Sequence, residues 1–160
     1  MIQYLTHDLI IHLILFQLVV LAVILGNIIL LHRSRKHTPP GSFPMVSILV
    51  PARNEEKNII RCIQSLLAQN YPSFEVLALD DQSSDSTLSM LNRMSESHLG
   101  LKVLAGSLPP DDRPGKNWAC SQLASHAQGD LLFFTDADTV HQPHTLRTLV
   151  TMLTGEQADL

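Results

Sequence analysis

A chain of 160 residues with a formal net charge of −4 and only 5% aromatic residues has no basic patch with interleaved aromatics, so nucleic-acid binding is without support. Its two cysteines, Cys62 and Cys120, form no Cys-x-x-Cys pair and fall within helical patterns, which reads as two buried free thiols in a reducing compartment. The 45% hydrophobic content is spread unevenly, with a large share at the N-terminus.

Residues 9–31 hold no charged side chain, and His12, Gln17 and Asn27 are their strongly polar interruptions. About 23 residues at roughly 1.5 Å each make about 35 Å of helix, enough to span a bilayer. Asp8 rather than a basic residue precedes the run and no Ala-x-Ala site follows it, which favours an uncleaved anchor over a signal peptide. His32, Arg33, Arg35, Lys36 and His37 come directly after it, whereas the N-terminal flank has neither Lys nor Arg. The positive-inside rule then predicts a single pass with the C-terminal side cytoplasmic. Three prolines and a glycine within residues 37–44 deny helix and sheet alike, so the expected organisation is an anchor over 1–36, a linker over 37–44 and an α/β domain over 45–160.

Within that domain residues 45–50 are apolar and β-branched and predict a strand stopped by Pro51. Asn54 can cap a following helix, Glu55 and Glu56 suit its positive end, and Ile59, Ile60, Ile63, Leu66 and Leu67 recur at helical spacing as far as Tyr71-Pro72. Residues 74–79 predict a second strand and run into Asp80 and Asp81. A polar turn leads to a helix from about Asp85, which reads as its cap, with Leu88, Leu91 and Met94 along one side. Residues 101–104 form a short third strand, residues 106–115 a proline-rich loop carrying Asp111-Asp112, and residues 116–127 a helix. Residues 131–135 read as a strand buried on both faces, followed by a turn through His141 to His144 and a last helix with Leu146, Leu149, Val150 and Leu153. The alternation of strand and helix predicts a parallel sheet with covering helices.

The chemistry gathers at the strand ends. Asp136 and Asp138 close the fourth strand, and residues at i and i+2 of an extended chain point the same way. Two carboxylates there suit a hard cation, Mg²⁺ or Mn²⁺, shared with substrate phosphates, although Asp-x-Asp also occurs at polar strand ends without one. The first strand exits through Pro51-Ala52-Arg53-Asn54-Glu55, which offers a cation, an amide and a carboxylate beside a helix N-terminus. A carboxylate at the second strand's end can accept from a base N–H or a ribose hydroxyl. Lys116, after Gly115, offers a point charge for a diphosphate, and Trp118 either stacks on a ring or packs.

Taken in order, Pro51-Ala52-Arg53-Asn54-Glu55, the Asp80-Asp81-x-Ser-x-Asp-x-Thr run, Gly115-Lys116-Asn117-Trp118-Ala119 and Asp136-Ala137-Asp138 resemble the family 2 glycosyltransferases of GT-A fold. The wording of the Gly-Lys-x-Trp-Ala block beside an N-terminal anchor is similar to hopanoid-associated and carotenoid glycosyltransferases. The resemblance spans about residues 46–149 and implies the nucleotide-binding half of a Rossmann-like GT-A sheet. It implies a nucleotide-sugar donor, commonly UDP-linked, and a divalent cation, Mn²⁺ or Mg²⁺. Pro51, Arg53, Glu55 and Lys116 belong to the donor-binding motifs. Asp80 and Asp81 are implied at the base and ribose, Asp136 near the ribose and sugar, and Asp138 on the metal. A lipid or membrane-embedded acceptor is suggested by the anchor and the resemblance together.

An inverting transferase also needs a general base, which in this family is an acidic residue well downstream of Asp-x-Asp. Glu156 and Asp159 stand too close behind the motif for that role, so the expectation is the N-terminal, donor-binding part of a longer enzyme. Two other readings compete. An apolar strand followed by Asp-x-Asp-x-Thr/Val also resembles the first motif of haloacid-dehalogenase-type phosphotransferases, with Asp136 as nucleophile and Asp138 as general acid, though there it closes the first strand of the domain. The second is a non-catalytic membrane-anchored remnant that binds nucleotide weakly or not at all. His141 and His144 add a softer-metal option, but Pro143 between them and their turn position favour surface histidines.

Overall fold

The computed structural model describes residues 2–34, 43–110 and 115–155. The basic residues Arg35 and Lys36, most of the proline-rich linker, Asp111-Asp112, and Glu156 and Asp159 lie outside them. Helix α1 runs Ile2–Ser34. Within it Ile10–Ile29 is long and apolar enough to cross a membrane, and none of that stretch is buried against the rest of the chain.

The α/β part follows in the expected order: β1 (Val46–Ala52), α2 (Ile59–Leu67), β2 (Phe74–Asp80), α3 (Thr87–Ser97), β3 (Leu101–Ala105), α4 (Gly115–His126), β4 (Leu131–Phe134) and α5 (Thr145–Gly155). The four strands form one parallel sheet in the order β3-β2-β1-β4. Successive units step outward from β1 to β3, and the chain then returns to the other side of β1. The carboxyl ends of β1 and β4 therefore flank a topological switch point, where open α/β sheets take their ligands.

Alternation along the central strands sorts the core into two unequal layers. On one face Val46, Ile48 and Val50 join Val76 and Ala78 against Ile59, Cys62, Ile63 and Leu66 of α2, Leu91 of α3, and Leu146 and Val150 of α5. On the other, Leu49, Leu77 and Leu79 meet Ala119 and Leu123 of α4. One helix cannot roof four strands. Leu132 and Phe134, in register with Ser47 and Leu49 on the α4 face, remain 46% and 44% exposed. The fourth strand is thus a half-covered edge, not the strand buried on both faces that its apolar run predicts.

Two further expectations are corrected. Pro51 does not stop β1, which continues to Ala52 in register with Asp80. Leu49 accepts from Thr135 N on the β4 side, and Pro51, two residues on, turns its missing N–H to the same side just beyond the last β4 rung. No ladder bond is lost there. Helix α2 starts at Ile59, not after Asn54, because Asn54 sits at φ +56° and is engaged elsewhere. Asp85 does accept at the start of α3: its Oδ1 takes the Thr87 N–H at 3.0 Å and the Thr87 hydroxyl at 2.6 Å.

At the amino ends of the strands a polar knot closes the α4 face. Buried Glu75 accepts from Ser47 Oγ at 2.7 Å, from Gln128 N at 2.8 Å and from Lys102 Nζ at 2.7 Å. Ser47 Oγ in turn accepts from Gly129 N at 2.8 Å, which fixes the turn from α4 into β4. A Cβ on Gly129 would stand 2.5 Å from Ser47 N, so only glycine allows this approach.

Candidate donor site

A cleft of about 530 Å³ opens at the carboxyl ends of the strands, and Pro51, Arg53, Glu55, Asp81, Lys116, Asp136 and Asp138 all line it. Seven of the eight residues singled out by sequence therefore meet at the switch point. They arrive on four separate elements: the β1 exit, the end of β2, the start of α4 and the end of β4. Small residues complete the lining, with Ala52, Gly115, Ala119 and Ala137 leaving the floor open. Sequence reasoning passed over these alanines. The available signal was Ala137, the small residue between the two carboxylates of Asp-x-Asp.

Asp80 stands apart from the cleft lining. Its Oδ2 accepts from Ser83 N at 3.1 Å, while Oδ1 is buried and has no partner among the described residues. Adjacent strand residues point to opposite faces, which is why Asp80 and Asp81 divide in this way. Asp81 reaches the cleft, 3.9 Å from Arg53 Nη1.

Lys116 Nζ donates to Asp136 Oδ1 at 2.7 Å across the mouth, with both side chains about two-thirds exposed. That hydrogen bond, and then the charge of Asp136, hold the Lys116 amine above its ordinary range. Below them Cys62 donates from Sγ to the Asp136 carbonyl at 3.6 Å. Burial, reinforced by the negative fields of Asp138 and Glu55, pushes the Cys62 thiol up to about 11. It is a structural neighbour of the site, with no nucleophilic character.

Of the histidines behind Asp-x-Asp, His144 is exposed and His141 is structural. His141 Nε2 lies 2.8 Å from Thr135 Oγ1, its ring packs edge-on to Phe133, and burial lowers its pKa. Trp118 is used in packing: its indole N–H donates to Ser107 O at 3.1 Å, and Ser107 N and Oγ donate to Gln122 Oε1, pinning the segment after β3 onto α4.

Four carboxylates and two basic side chains line the cleft, which leaves it two net negative charges. A diphosphate entering alone would be repelled. Among the described residues no three His, Cys, Asp or Glu side chains converge well enough to hold a metal by themselves. The donor set fits a hard divalent cation that takes one or two carboxylates and completes its shell with phosphate oxygens.

The family model for glycosyl transferase family 2 matches residues 47–160. The chain belongs to that family. Over 100 residues it is 39% identical to the beta-monoglucosyldiacylglycerol synthase of Trichormus variabilis, an alignment that covers 61% of this chain and 21% of the synthase. Among solved structures it is similar to the mannosyltransferase PcManGT of Pyrobaculum calidifontis in complex with GDP-Man and Mn²⁺, with 31% identity, a TM-score of 0.64, and coverage of 76% of this chain and 37% of that one. TarS of S. aureus in complex with UDP-GlcNAc superposes with a TM-score of 0.57 at 30% identity, over 72% of this chain and 32% of that one. The sheet and helices of this family 2 chain are accordingly those of a GT-A, Rossmann-like domain. The chain spans between a fifth and two fifths of the length of these relatives.

Proposed function

We propose that the chain is the donor-binding part of an enzyme that moves a sugar, with inversion, from a nucleotide-sugar donor, UDP-linked in the first instance, to a lipid or membrane-embedded acceptor. The observation that carries this reading is the convergence of Arg53, Asp81, Lys116, Asp136 and Asp138 on one cleft at the switch point of a parallel sheet. In this reading Lys116 meets the diphosphate, exchanging Asp136 for a phosphate oxygen as the donor enters, while Arg53 stays beside Asp81 at the nucleoside end. Asp81 accepts from the ribose or base, and the unpaired buried Oδ1 of Asp80 is a second acceptor at the same strand end. Asp136 lies toward the ribose and sugar, and Asp138 holds the divalent cation, Mn²⁺ or Mg²⁺. When bound, that cation neutralises the charge that grows on the leaving diphosphate. Pro51 shapes the wall and Glu55 orders the turn beside it, its Oε2 accepting from Asn58 Nδ2 at 3.0 Å.

The acceptor-activating base belongs to sequence outside these residues in this reading, in keeping with the share of each relative that the chain spans. The apolar helix α1 supports a membrane location, and the basic residues after it support a cytoplasmic donor domain. The test is calorimetric titration of UDP into the detergent-solubilised chain with and without Mn²⁺. Mn²⁺ should tighten UDP binding by about tenfold or more, and Asp138→Ala should remove that gain while leaving the metal-free affinity in place. UDP binding that ignores both Mn²⁺ and Asp138→Ala would overturn the assignment.

A further inference from the structure

Two residues other than glycine adopt the left-handed backbone conformation among the described residues: Asn54 at φ +56° and Gln82 at φ +57°. They occupy equivalent places. Ala52 and Asp80 are register partners at the ends of β1 and β2, and each left-handed residue lies two positions further on. Asparagine tolerates this region better than most side chains, so the sequence can turn sharply here without glycine.

The two turns are laced together around Asn54. Its backbone N–H donates to Ser83 Oγ at 2.9 Å, and its Oδ1 accepts from Ser84 N at 2.8 Å and from Ser84 Oγ at 3.2 Å. The lacing continues with Glu55 N to Thr87 Oγ1 at 2.8 Å, Glu56 N to Asp85 Oδ2 at 3.1 Å and Ser86 N to Glu56 Oε2 at 3.2 Å. Asn54 does not itself line the cleft, but both its neighbours, Arg53 and Glu55, do. Ser83, which Asn54 holds through its hydroxyl, is also the residue whose N–H fixes Asp80 Oδ2. One exposed asparagine thus joins the β1 half of the cleft to the carboxylates at the β2 end.

We infer that Asn54 is a positioning residue for the nucleoside end of the donor: its left-handed turn and its bonds to Ser83 and Ser84 set Arg53 against Asp81 and hold the Asp80 carboxylate in place. This rests on the donor-site reading above. Lys116, Asp136 and Asp138 come from α4 and β4 and take no part in the lacing, so the phosphate and metal end is independent of it.

The experiment compares binding of UDP and of pyrophosphate, each with Mn²⁺, to the full chain in detergent at a temperature where every variant is folded by circular dichroism. Asn54→Ala removes the acceptor and disfavours the turn, and should weaken UDP by about tenfold while leaving pyrophosphate within about twofold. Asn54→Asp keeps an acceptor in a residue tolerant of the turn and should restore UDP binding to within about threefold of wild type. Ser83→Ala removes the other bond between the two turns, the hydroxyl that accepts from the Asn54 backbone N–H; it should lose UDP selectively, and it carries the test if Asn54→Ala does not fold. Equal weakening of UDP and pyrophosphate, or UDP binding unchanged in both Asn54→Ala and Ser83→Ala, overturns the inference. A wild-type chain that binds neither ligand overturns the donor-site reading itself.

Discussion

Replacing Glu75 by alanine strips the polar knot beneath the α4 face of the carboxylate that accepts from three donors. Gln128 N–H and the Ser47 hydroxyl are left buried without their carboxylate, and Lys102, whose side chain is 47% exposed, turns out to water. Two stranded donors and one lost charge-assisted bond come to about 3–5 kcal/mol. For a domain of roughly 110 residues that corresponds to a Tm lower by about 10–20 °C. Glu75→Gln keeps an acceptor for Ser47 and Gln128 but turns an amide N–H toward Lys102, and should cost about 1–2 kcal/mol because Lys102 can re-solvate. The assay is thermal unfolding followed by the single tryptophan, Trp118, across a pH series. Burial alone would raise the Glu75 carboxyl; the bonds from Lys102, Ser47 and Gln128 outweigh it and hold the group below its usual range. A carboxyl depressed in the folded state contributes fully above its unfolded value, near 4.5, and loses that contribution as pH falls through its folded value. The gap between wild type and Glu75→Gln should therefore be widest near neutrality and narrow below about pH 4.5. A Glu75→Ala Tm within about 3 °C of wild type at pH 7, or a gap that widens on acidification, would refute the reasoning.

Gly129→Ala puts a methyl group 2.5 Å from Ser47 N and 2.9 Å from Met45 O, both on the β1 side of the turn, and should cost about 3 kcal/mol or prevent folding. Gly100→Ala, whose added carbon meets only Leu67 at 3.8 Å, is the control and should unfold at the wild-type urea concentration; equal stability of the two variants would contradict the β1–β4 register. In a Cys120→Ser background, Cys62 should stay unreactive toward a disulfide reagent at pH 8 until the chain is unfolded, because burial and the nearby carboxylates hold its thiol at about 11. Stoichiometric labelling of the native protein within minutes would contradict that burial.

The sequence by itself determined what depends on local pattern: the long apolar helix, the order of strands and helices, and the placing of charged pairs where apolar runs stop. Strand periodicity and turn chemistry act over a few residues, so they are legible without a fold, and together with the family resemblance they named seven residues that meet in one cleft. Alternation also held the separation of Asp80 from Asp81, a signal that treating them as one pair discarded. Tertiary structure decided the rest, because the deciding partners are distant in the chain. Asn54 reads as a helix cap until Ser83 and Ser84, about thirty residues on, prove to be what it bonds. Lys116 reads as a solvated lysine until Asp136 arrives from the next strand. Pro51 ends a strand on propensity alone, yet β1 runs past it, since the side to which its nitrogen turns has no rung left to break. The apolar run of β4 gives no hint that Leu132 and Phe134 stay half exposed, because their cover depends on where α4 lies, and α4 packs over β1 and β2 instead.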